Sequence, residues 1–83
     1  MMIDETLLRE LLDATDDDSA LVLLEGRARV AGRAALRGDD LRGAAVVLTR
    51  AELVDRLGTT HPAPQDLTLM AASLDDAVGK LGG

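Results

Sequence analysis

RARVAGRAALR, residues 27–37, decides between two folds. Read by alternation, Arg27 to Val30 is a half-exposed strand that turns back at Gly26, and residues 20–31 form a β-hairpin. Read by propensity, the same residues are a run of alanine and arginine, both strong helix formers, stopped by Gly38. On a helix Arg29, Arg33 and Arg37 fall four apart on one face, while Ala28, Ala31 and Ala35 line another. Gly32 weakens such a helix by about 1 kcal/mol relative to alanine. Spacing tips the choice towards the helix. Apolar runs begin at residues 20, 44 and 67, the separation expected of successive βα units.

Two of those runs flank the stretch directly. ALVLL (20–24) and AAVVL (44–48) are rich enough in branched residues to read as buried strands. The second leads into Thr49-Arg50-Ala51-Glu52, a capping box in which the Thr49 hydroxyl serves the amide of Glu52 and the Glu52 carboxylate serves the amide of Thr49. Ala51, Leu53, Val54 and Leu57 continue at helical spacing, and Gly58 stands where a left-handed C-terminal cap is wanted.

Further out, residues 3–14 read as a helix capped by Asp4, with Leu7, Leu8, Leu11 and Leu12 as one apolar stripe. Asp16-Asp17-Asp18 is a solvated turn, because three adjacent carboxylates repel in any regular element. It lacks the alternating oxygen ligands and later glutamate of a calcium loop, so no metal site is expected. Residues 59–66 hold both prolines, Pro62 and Pro64, and read as an exposed loop. Leu67, Leu69, Met70 and Ala71 then make a third strand. Ser73 to Asp76 resembles a second capping box, and Leu74, Ala77, Val78 and Leu81 a final helical stripe ending at Gly82.

The expected fold is therefore a small single α/β domain over residues 1–83, with an N-terminal helix followed by βα units and a short, mainly parallel sheet. The alternative is an α+β fold with the 20–31 hairpin.

Composition narrows the function. The chain of 83 residues is 47% hydrophobic yet has no Phe, Trp or Tyr, so its core is small and built from Leu, Val, Ala, Ile and Met. Association with another copy is an obvious way to cover what remains apolar. A formal charge of −6 argues against a nucleic-acid partner, whose phosphates require a basic face. No cysteine is present, which excludes disulfides and thiolate chemistry. The N-terminus carries no signal-peptide pattern and no apolar run reaches membrane length, so no membrane partner and a cytoplasmic location are expected. Eight arginines against one lysine is the usage of GC-rich bacterial genomes.

Candidate sites arise from the parallel sheet. Its carboxyl edge brings Glu25, Thr49, Arg50 and Ser73 together, with helix starts able to hold an anion. Thr49 and Ser73 also have purely structural work as caps. His61, the sole histidine, is the residue type suited to acid–base work, but it lies in the proline loop without a positioned partner. The terminal Gly82-Gly83 resembles the diglycine tail of ubiquitin-like sulfur carriers and protein modifiers. Those reach it from a strand of a β-grasp fold, whereas here it follows an expected helix. The leading expectation is a non-catalytic interaction or regulatory protein that self-associates as a homodimer, through its leucine-rich N-terminal helix or an uncovered sheet face. A small-ligand or anion-binding domain and a diglycine carrier are the alternatives, and no catalytic residue, cofactor or metal is expected.

Overall fold

The computed structural model describes residues 3–82, with the backbone alone at 40, 81 and 82. In chain order the elements are α1 (Glu5–Asp13), β1 (Ala20–Leu24), β2 (Arg27–Ala31), α2 (Arg33–Arg37), a 3-10 turn (Asp39–Leu41), β3 (Ala45–Thr49), α3 (Arg50–Leu57) and α4 (Pro64–Gly82). The three strands form one sheet in the order β2-β1-β3, and both pairings are antiparallel. The fold is α+β, which overturns the expected mainly parallel α/β sheet.

Two local events cause the difference. The first is the hairpin at Glu25-Gly26, where both residues have positive φ, 53° and 77°. That is the geometry of a two-residue turn whose twist matches the strands it joins. Once the chain turns back there, Arg27 to Ala31 pairs with β1 from Leu24↔Arg27 to Ala20↔Ala31. Cross-strand pairing then overrides the helical propensity of the alanine and arginine run. Only Arg33–Arg37 remains helical, after Gly32.

The second event is α4. The expected strand at 67–71 and the helix after it are one continuous helix of 19 residues. Leu67, Ala71, Leu74 and Val78 are all buried, a single stripe at helical spacing. Pro64 is its first residue, the helical position at which proline's missing N–H costs nothing. Ser73 lies inside this helix and is exposed, so it caps nothing.

The expected loop at 59–66 ends where α4 begins at Pro64, but the expected caps of α1 and α3 are in place. Asp4 caps α1 by accepting from the amide of Leu7 at 3.0 Å. The capping box of α3 is complete: the Glu52 amide donates to Thr49 Oγ1 at 3.2 Å, and the Thr49 amide to Glu52 Oε1 at 3.0 Å. Gly58 adopts the left-handed conformation, φ 76°, at its end.

The sheet divides the apolar interior. On one face Leu21 and Leu48 meet Leu8 and Leu11 of α1, Leu53 of α3 and the buried stripe of α4. On the other, Ala20, Val22 and Ala31 are covered by Leu41, with half-buried Leu24 and Leu36 beside them. The leucine stripe of α1 is therefore consumed by the chain's own core. Of its four leucines only Leu7 is even partly exposed. No helix of the described residues is long and apolar enough to cross a membrane.

Candidate functional site

The four residues expected on one edge are separated by the antiparallel pairing. Ala20 faces Thr49 and Leu23 faces Ala45, so Glu25, in the hairpin turn, is at the opposite end of the sheet from Thr49 and Arg50. Ser73 is on α4. Only the sequence neighbours Thr49 and Arg50 are together.

Their surroundings are architectural. The Arg50 side chain is 17% exposed. It donates from Nε to the Leu12 carbonyl at 3.1 Å and from Nη1 to Asp17 Oδ1 at 2.6 Å, tying the end of α1 and the acidic turn to α3. The Arg50 amide donates to the Ser19 carbonyl and the Ala51 amide to that of Asp17. With the capping box, all four amides at the start of α3 have partners in the chain. None is left there to hold an anion.

The acidic turn is drawn into the same scaffold. Asp18 pairs with Arg33 at 3.2 Å, and Asp16 Oδ1 accepts from the Asp18 amide at 2.9 Å. Among the described residues no three His, Asp or Glu side chains are placed to share a metal ion. His61 is exposed and helps line a cleft of about 190 Å³ with Thr60, Arg9 and Asp13. Arg9 and Asp13 give the cleft both signs of charge, and Arg9 also pairs with Glu5 at 3.7 Å. Gly83, the last residue of the diglycine, lies outside the described residues.

The most distinctive surface lies between β3 and α4, where no sequence signal directs attention. A groove of about 310 Å³ runs along it. Its strand side is Ala45, Val46 and Val47, and its helix side is Leu74, Ala77 and Val78, with Arg56 of α3 the one charged side chain. Arg56 also lines a neighbouring depression with Leu57, Leu69, Met70 and Asp66. The large hydrophobic residues exposed on the described surface, Val46 at 56% and Leu69 at 69%, line these two adjoining hollows. Isolated apolar residues on a surface are ordinary; here Val47, Leu74, Ala77 and Val78 gather along one groove.

Two features create this face. β3 is an edge strand, and the register shift between Leu21 and Val22 leaves Val47 as an extra residue, because Leu21 pairs with Leu48 and Val22 with Val46. The bulge bends the strand. Val46, paired with Val22, is exposed, while Leu48 two residues later pairs with Leu21 and is fully buried. Compared with models of protein families, with curated proteins and with solved structures, the chain matches none.

Proposed function

We propose that this chain is a small non-catalytic interaction or regulatory protein that acts by binding protein, self-association included, at the face between β3 and α4. One observation carries the reading: an apolar groove lined by Val47, Leu74, Ala77 and Val78 opens beside Arg56, next to the hollow from which Leu69 stands out. Such a surface is costly to leave in water, and burial against a partner recovers about 25 cal/mol for each Å² of apolar area covered. A single cation within an apolar lining supplies orientation more than affinity. A cytoplasmic setting and a bacterial source belong to the same proposal. The acidic composition and the preference for arginine over lysine support them.

The test is affinity capture with the wild-type chain and with Ala77→Lys and Leu69→Lys side by side. A protein held by wild type and released by both variants supports the reading. Retention of every captured protein by both variants contradicts it.

A further inference from the structure

We propose that the outer face of the sheet, turned away from α4, binds a short acidic protein segment that carries an apolar side chain among its carboxylates. This surface is separate from the β3–α4 groove and does not rest on the reading of it. Charge distribution is the first argument. Residues 27–42 hold five of the eight arginines, Arg27, Arg29, Arg33, Arg37 and Arg42, against Asp39 and Asp40. The segment is therefore formally +3 within a chain of −6, and the rest of the chain is −9.

The fold gathers that charge on one side. Leu24 pairs with Arg27 and Val22 with Arg29, and residues directly opposite one another share a face of the sheet. Val22 belongs to the smaller core, which Leu36 of α2 and Leu41 of the 3-10 turn cover. Both elements therefore lie over the side that carries Arg27 and Arg29. They bring Arg33, Arg37 and, one residue on, Arg42 with them. All five arginines are exposed. Arg33 pairs with Asp18, but Arg27, Arg29, Arg37 and Arg42 have no ion pair or side-chain hydrogen bond among the described residues. The chain has fifteen acidic residues, so carboxylates are not scarce. These guanidinium groups are left open to an outside partner.

The same face sets the chemistry of that partner. Val46 is also paired with Val22, so Arg29, Val22 and Val46 form one row across the sheet. Val46 is exposed at the far edge, and Leu24 is half-buried opposite Arg27. A guanidinium holds a carboxylate through two parallel hydrogen bonds, while an apolar side chain between carboxylates can meet Val46. A long polyanion fits badly. A nucleic-acid duplex or an anionic bilayer extends past the patch into the field of the acidic remainder. No aromatic ring is present in the chain to stack an unpaired base. Side chains make the contact, because charges along β2 discourage the addition of a strand.

An NMR titration of the full chain tests this. The probe is a synthetic peptide of aspartates and glutamates around a central leucine, set beside its amide counterpart, a DNA duplex and phosphatidylserine vesicles. The acidic peptide is expected to shift the amides of Arg27, Arg29 and Val46, with an affinity that falls as salt is raised. Glycine in place of its leucine weakens binding several-fold. The double variant Arg27→Glu with Arg29→Glu, shown to be folded by circular dichroism, weakens it about tenfold or more. Absence of shifts at these residues, or undiminished affinity in the double variant or for the glycine peptide, overturns the proposal. Tighter binding of the duplex or the vesicles at the same residues does so too.

Discussion

The two edges of the sheet are built differently. β2, RARVA, places exposed Arg27 and Arg29 along its length. Charged side chains are a usual means of stopping an edge from recruiting another chain. β3, AVVLT, has no charge, and Ala45 and Val46 are exposed. One edge is guarded by its side chains; the other is apolar, bent by a bulge and set beside a groove. A chain of this charge has the residues to guard both, so the unguarded edge is the better candidate for use. Natural sequences spend stability or solubility at the places where they act, and disagreement between local rules and a sound fold is commonest there.

That contrast can be broken or sharpened by substitution. The largest effect is expected inside β3 itself. Leu48 is fully buried, and Leu48→Ala should cost about 2–5 kcal/mol by chemical denaturation. A cost below this range would mean that β3 is not anchored to the main core. Next comes Arg50, whose guanidinium ties the Leu12 carbonyl and Asp17 to α3. Because Asp17 is largely solvated, Arg50→Met should cost only about 1–2 kcal/mol, with the loss of Asp17 order visible by NMR.

A smaller change of opposite sign is expected at the hairpin that creates the guarded edge. Glu25 holds a left-handed conformation that asparagine tolerates better, so Glu25→Asn should raise stability by about 0.5–1 kcal/mol. A loss of stability would show that the Glu25 side chain contributes more than its backbone strain costs. The smallest effect on folding belongs to the exposed edge residue. Val46→Lys should change monomer stability by less than about 0.5 kcal/mol when unfolding is followed in dilute solution. The reverse experiment, Arg29→Val on β2, should leave the fold intact but promote concentration-dependent aggregation by light scattering.

How much of this is legible from the residues depends on how far each signal reaches. The caps of α1 and α3 are settled within a few residues of themselves. Asp4, Thr49, Glu52 and Gly58 therefore do what their identities suggest. The strands at Ala20–Leu24 and Ala45–Thr49 are equally evident from their apolar runs. The fold class turns instead on Glu25, a residue that rarely takes positive φ, at the first position of a turn that favours asparagine, aspartate or glycine. With that signal weak, the helix formers of residues 27–37 dominate the reading.

At residues 67–71 two periods coincide. Leu67, Leu69 and Ala71 alternate like a strand, yet Leu67, Ala71, Leu74 and Val78 recur like a helix, and only the helical period continues to Val78. Pro64 marks the start of that helix, although two nearby prolines suggest a loop. The expected edge cluster of Glu25, Thr49, Arg50 and Ser73 depends on parallel strands and separates with them. The β3–α4 face is illegible for another reason. Its strand side, Ala45 to Val47, lies in a run that reads as fully buried, and it stays open because β3 is an edge and carries a bulge at Val47.

The most direct test of the unguarded edge is a comparison of methyl NMR spectra of the wild-type chain at low and high concentration. The account predicts that Val47 and Leu69 shift or broaden as concentration rises, while Val30 on β2 and Leu36 beside the smaller core stay fixed. Spectra unchanged at all four residues, or changes centred on Val30, would contradict it.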